Sequence, residues 1–207
     1  MAGSLSEADV LADLKRSLHD AATAFDAAAD ADFKRALAAA LVAMEKKRPR
    51  TLLGTLAIAA NAERVAITQT DFAAYKTHVW GTRPPKPWQC GYPGALPRIQ
   101  AVQEGPGWAL MFDPPPTAAH VAAYGTDFKF WYYGRHALAV LETDTGTLAP
   151  ADRPLLLLRA QAELMRELSL RNVNKPVALR DGMSGTPRNS TPAALYQALL
   201  REFEEAA

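Results

Sequence analysis

Asp152–Asn172, DRPLLLLRAQAELMRELSLRN, is the stretch on which the fold turns. Spaced at about 100° per residue, Leu155, Leu158, Ala162 and Met165 fall on one flank of a broad apolar arc. Leu157, Leu164 and Leu168 fall on the other flank. Arg159, Glu163, Arg166 and Glu167 crowd the opposite side, where Arg159–Glu163 and Glu167–Arg171 have the i,i+4 spacing of opposite charges. Asp152 stands at the N-cap position and Pro154 in the first turn, where its missing N–H costs little. An arc this wide can touch several partners at once. It predicts the central helix of an α-rich core, about 30 Å long and too charged to span a membrane.

The segments before it set up two further helices. Ser4 and Glu7 have capping-box spacing, and Val10, Leu11, Leu14, Leu18 and Phe25 share one face. A break is expected near Asp30, which would cap a second helix carrying Phe33, Leu37, Leu41 and Met44. Lys46, Lys47, Arg48 and Arg50 close that helix, and cations suit its C-terminal dipole.

After Pro49 the hydrophobic period shortens. Thr51–Ala60 and Arg64–Gln69 read as a hairpin, and Thr70 or Asp71 as the cap of a short helix through Tyr75 to Trp80. Residues 81–97, GTRPPKPWQCGYPGALP, form a long Pro-rich loop, a kind of segment that usually carries function. Arg98–Glu104 and Trp108–Asp113 read as a hairpin about a Gly105-Pro106-Gly107 turn, ended by Asp113-Pro114-Pro115-Pro116. Asp127–Tyr133 alternates Phe128, Phe130 and Tyr132 against Lys129, Trp131 and Tyr133. That is a strand with one buried face and an amphipathic outer face suited to covering by a neighbour.

Beyond the central helix a loop from Val173 to Asn189 carries Lys175, Arg180 and Arg188. Ser190 or Thr191, with Pro192, starts a last helix whose apolar face is Leu195, Tyr196, Leu199, Leu200 and Phe203. The fold class expected is α+β, mainly α. Residues 1–50 and 147–207 form the helical core, and 51–146 a β-hairpin-rich insertion with the Pro-rich loop, within a single domain.

Composition narrows the function classes. Of 207 residues, 49% are hydrophobic, enough for a core without metals or disulfides. Lys+Arg 23 against Asp+Glu 22 lacks the basic excess of a dedicated nucleic-acid binder. Cys90 is the single cysteine, so no intramolecular disulfide forms. MAGSLSEADV lacks the layout of a signal peptide, so a cytoplasmic origin is expected.

Catalytic, cofactor and metal sites are not expected. Cys90, in Gln89-Cys90-Gly91, lacks the local signature of a papain-type nucleophile. His19 and His78 are placed on helices and His120 and His136 beside the aromatic strand, with no i,i+4 pair among them. Gly182 and Gly185 bracket Met183-Ser184 without a P-loop context.

Taken in order, the segments resemble the head–tail connector (adaptor) proteins of tailed bacteriophages. The resemblance rests on a helical pair ending in Lys47-Arg48-Pro49-Arg50 and on Val65-Ala66-Ile67 running into Asp71-Phe72. Trp108-Ala109-Leu110-Met111-Phe112 then leads into Asp113-Pro114-Pro115-Pro116-Thr117, and the Phe128–Tyr133 strand follows. The Leu155–Leu158 helix with Glu163-Leu164-Met165-Arg166-Glu167-Leu168 and a closing helix complete the order.

The resemblance implies a non-enzymatic virion protein of the neck, present in the host cytoplasm during assembly. It implies a homo-oligomeric ring, usually of a dozen copies, docked under the portal protein, meeting downstream neck or tail proteins and continuing the DNA channel. DNA would pass without sequence-specific binding, and no membrane is involved. Little chain follows Phe203, so a long tail reaching into the portal is not expected. Portal-binding candidates are Lys175, Arg180 and Arg188 in the late loop and Glu202, Glu204 and Glu205 at the end of the last helix. A monomeric protein-interaction or assembly-regulating module is the alternative, and a small cysteine hydrolase a third reading.

Overall fold

The computed structural model describes residues 5–25, 28–81, 85–140, 146–172 and 191–206. The fold is α+β and mainly α, and it divides into two compact units, Met1–Arg48 with His136–Ala207, and Pro49–Arg135.

The first unit holds α1 (Glu7–Leu18), α2 (Ala31–Lys47), α4 (Arg153–Arg171) and α5 (Pro192–Ala206). α4 lies against α1, α2 and α5. Neighbours on several sides explain why its burial exceeds a single arc. Leu156, outside the flanks read from periodicity, is fully buried with Ala160, Ala162 and Leu164, and Leu155 and Met165 are nearly so. Even the charged side is partly covered, since Arg159 and Glu163 pair with one another at 15% and 13% side-chain exposure.

Helix starts depart from the expected caps. α1 begins after Ser6, whose side chain makes no capping bond, and Ser4 lies outside the described residues. A 3-10 segment, His19–Phe25, and left-handed Ala29 and Asp30 make the break near Asp30. The Asp30 carboxylate does not cap α2; it pairs with Lys15 at 2.6 Å. Asp152 likewise leaves α4 uncapped. Its carboxylate accepts from the Ala149 N–H at 3.3 Å and from Arg48 at 2.7 Å. In both places a nearby cation competes with the helix N–H groups for the carboxylate and wins. α5 starts as expected, with Thr191 Oγ1 accepting from Ala194 N–H and Pro192 in the first position.

The second unit holds β1 (Arg50–Ala57), β2 (Arg64–Ala66), β3 (Phe72–Trp80), β4 (Arg98–Glu104), β5 (Gly107–Asp113), α3 (Ala118–Tyr124) and β6 (Asp127–Gly134). They form two antiparallel sheets, ordered β1-β6-β3 and β2-β5-β4. The β4–β5 hairpin and the aromatic strand are where the sequence puts them.

Two local expectations fail. Thr51–Ala60 and Arg64–Gln69 make no hairpin, because β1 pairs with β6 and β2 with β5. Between them Asn61 is left-handed, and Ile58 N–H donates to Thr126 O at 2.8 Å, so the chain leaves one sheet for the other. The helix expected from Tyr75 to Trp80 is the strand β3, held to β6 with two register shifts. Its aromatic and β-branched residues line a pleated surface better than a helix. Asp71 therefore caps nothing. It accepts from Tyr132 Oη at 2.9 Å and Arg50 at 2.8 Å, tying the starts of β1 and β3 to β6. Burial, reinforced by the Asp71 bond, pushes the Tyr132 phenol up to about 12.

The core of this unit is aromatic. Phe128 meets Phe112 edge-on at 5.5 Å and Trp80 at 5.9 Å. Phe130, fully buried, lies across Gly54, its register partner, where an added Cβ would sit 2.6 Å from the ring. Gly54→Val is thus expected to destabilise this unit by about 1–3 kcal/mol through overpacking. A thermal melt of the variant coincident with wild type would contradict that packing.

Candidate partner-binding surfaces

Lys175, Arg180 and Arg188 lie outside the described residues. Glu202, Glu204 and Glu205 lie near the end of α5 and are exposed. Their positions are not equivalent. Glu204 is paired with Lys47, and Arg48 donates to Ala206 O at 3.4 Å, so the helix end is tied to the end of α2. Glu202 and Glu205 have no ion-pair partner among the described residues.

The basic run 46–50 is accounted for by the fold. Lys47 meets Glu204, Arg48 meets Asp152 and Arg50 meets Asp71, leaving Lys46 exposed. Three of four cations are therefore committed before any partner arrives. Beside them runs a groove of about 270 Å³ lined by Ala39, Val42, Ala43, Lys46, Lys47, Arg159, Phe203 and Glu204. Its floor is set by the Arg159 guanidinium over the Phe203 ring, 5.7 Å from the centroid. Arg159 Nε and Nη1 are buried without a hydrogen-bond acceptor among the described residues, and the ring's π face offers them electrostatic compensation.

A second charged cluster braces α2 against α4. Asp32, 6% exposed, accepts from Arg171 at 2.8 Å and Arg35 at 2.6 Å, and Arg35 also reaches Glu167 at 3.0 Å. The Arg171 hydrogen bond, aided by both cations against the opposing effect of burial, holds the Asp32 carboxyl below its ordinary value. A lowered folded-state value means this stabilisation is present above the ordinary carboxylate range and is lost as pH falls through the lowered value. Asp32→Asn should therefore lower the melting temperature at neutral pH and flatten its decline in acid. An unchanged acid limb in the variant would show that other carboxylates govern it.

In the second unit the Pro-rich loop is a built structure over residues 85–97. Lys86 N–H donates to the Gln89 side chain at 2.8 Å, and Gln89 N–H returns to Lys86 O at 2.9 Å. Its far end is pinned by His120. Thr117 N–H donates to His120 Nδ1 at 3.1 Å, which makes Nε2–H the donor to Ala95 O at 3.1 Å. The reciprocal bond from His120 N–H to Thr117 Oγ1 completes a capping box that starts α3. The sequence carries no ordinary start signal for α3, since His120 stands where Glu or Gln is usual. Between these anchors Trp88 is held out at 77% exposure with Lys86 Nζ 5.2 Å from its ring. Tyr92 and Leu96 are also exposed on this loop. Length marks the loop as functional; that Trp88 projects from it is visible only in the fold.

The remaining chemical candidates are dispersed. Cys90 is exposed on the same loop, with no hydrogen-bond partner among the described residues. His78 is on β3, not on a helix; its Nδ1 shares a hydrogen bond with Tyr75 Oη, its ring stacks on Phe128, and burial pulls its imidazole below the usual value. His136 bonds Arg48 O and Thr147 Oγ1. Among the described residues no group of three or more His, Cys, Asp or Glu gathers as a metal site. No helix among them is long and apolar enough to cross a membrane.

No protein-family model matches the chain, and no curated protein matches it. A chain of the solved neck of an empty GTA particle, computed with C6 symmetry, is similar over 91% of this chain and 87% of that one. The identity is 14% and the TM-score 0.28, a likeness too loose to carry weight for fold or function.

Proposed function

We propose that this chain is a non-catalytic component of a phage-type neck, a head–tail connector that forms a ring under the portal and continues the DNA channel towards the tail. The observation that carries the reading is Trp88. An indole held in water on an anchored loop, beside Tyr92 and Leu96, is the kind of aromatic anchor that a partner's pocket desolvates. The order of segments, which resembles the adaptor family, supports a neck protein as that partner. A near-neutral chain also suits a channel wall past which DNA slides without strong counterion-release binding.

The portal contact is assigned to the late loop, with Lys175, Arg180 and Arg188, and to the end of α5. There Glu202 and Glu205, unlike the Glu204 paired with Lys47, have no ion-pair partner among the described residues. Deleting residues 204–207 removes an exposed ion pair, worth about 0–1 kcal/mol at most, so the melting temperature should barely change. Binding of the truncated chain to immobilised portal should weaken, most at low salt. Unchanged affinity across salt concentrations would remove α5 from the interface.

A further inference from the structure

A strand at the margin of a sheet presents unpaired N–H and C=O groups that another chain can complete, and folds normally guard such margins. The sheet β1-β6-β3 ends in β3 on one side and β1 on the other. β3 is guarded by two register shifts, between Phe72 and Ala74 and between Tyr75 and Thr77; its Lys76 reaches across the sheet face over Tyr133 to Thr51 Oγ1 at 3.1 Å. β1 has no such device. It pairs with β6 without a shift from Arg50 to Ala57, and Thr51–Ala57 contains neither a charge nor a proline. Among the described residues nothing hydrogen-bonds to its outer backbone edge. Leu53, at 55% exposure, stands in the middle of it.

Such an edge accepts an extended strand, and its neutrality selects which one. β2 is three residues long, β4 carries Arg98 and Glu104, and β5 and β6 are interior. The unguarded margin that matches the uncharged run Thr51–Ala57 is the same run of a second copy. We propose that β1 pairs antiparallel with β1 of a second copy about a two-fold axis through Leu53. Directly opposed residues share a face, so this register sets Leu53 against Leu53, Thr51 against Thr55 and Leu52 against Gly54. No like charges meet. Trp131 is the register partner of Leu53, so one apolar row runs Trp131, Leu53, Leu53, Trp131 across the axis. A contact of one strand per copy belongs to the small, weak class of interfaces, so the dimer forms with rising concentration. A two-fold contact does not propagate into a ring, so the proposal is independent of the neck reading and either can fail alone.

The test compares two cysteines in the full chain carrying Cys90→Ser. Leu53→Cys lies on the axis, and Val79→Cys is similarly exposed, at 48%, on the guarded strand β3. Under mild oxidation Leu53→Cys should form a covalent dimer roughly tenfold or more faster, because pairing raises its effective concentration. Without the cysteines, sedimentation at rising concentration should show mass increasing towards a dimer for wild type but not for Leu53→Lys. Amide exchange of residues 51–57 should slow in parallel. Equal cross-linking rates for the two cysteines would overturn the proposal. So would a wild-type chain that stays monomeric into the high micromolar range, which would leave the edge to a strand of another protein.

Discussion

Phe203→Ala should cost about 3–5 kcal/mol of stability, the range for removing a buried phenyl ring without collapse of the cavity. Phe203 is 1% exposed and is the one buried residue of α5, whose other inward residues, Tyr196 and Leu199, are only partly covered. Its loss has two parts. The first is the transfer and cavity cost of the ring. The second falls on Arg159, whose Nε and Nη1 lose the π face above them and remain buried without an acceptor. Phe203→Leu restores most of the volume but no π face, so it should recover part of the loss and leave a residue of about 1 kcal/mol. Chemical denaturation of the three proteins measures both parts. A loss below about 1 kcal/mol for the alanine variant would mean that α5 is held by something other than this ring.

Trp88→Ala should do the reverse, sparing stability and removing binding. The side chain is 77% exposed, so truncation should change the folding free energy by no more than about 0.5 kcal/mol. If its ring is the anchor of the neck interface, affinity for portal or for the next neck protein should fall roughly 30-fold, the equivalent of about 2 kcal/mol. Lys86→Ala, which removes the cation over the ring, should fall between the two proteins. Wild-type affinity of Trp88→Ala for every neck partner would dismiss the loop as an interface.

What was readable from sequence is what local spacing controls. Leu155, Leu164 and Met165 of α4, Phe203 of α5, the break before α2, the β4–β5 hairpin around Gly105-Pro106-Gly107 and the alternation of β6 all depend on residues within a few positions of one another. By contrast Leu195, read onto the α5 face, is exposed, and Leu156, read off the α4 arc, is buried. Pairings set by distant segments were not readable. β1 finds β6 some 70 residues later, and Arg64–Ala66 joins β5, so adjacency in sequence suggested a hairpin that the sheet order forbids. Phe72–Trp80 contains Ala73-Ala74, which favours a helix, yet β6 imposes a strand on it. The candidate site divides the same way. The exposure of Glu202 and Glu205 follows from helix phase. That Glu204 would be taken by Lys47, or that Trp88 would stand clear of its loop, depends on how the chain folds back on itself.

A ring under the portal is tested most directly by imaging. Purified chain is added to portal-bearing particles that lack it, and the portal vertex is averaged from electron micrographs. An added collar below the portal is expected, coaxial with its channel and built of repeating copies of this chain. Bare portals at saturating protein, or a single copy bound off-axis, would contradict the connector and favour a monomeric regulator.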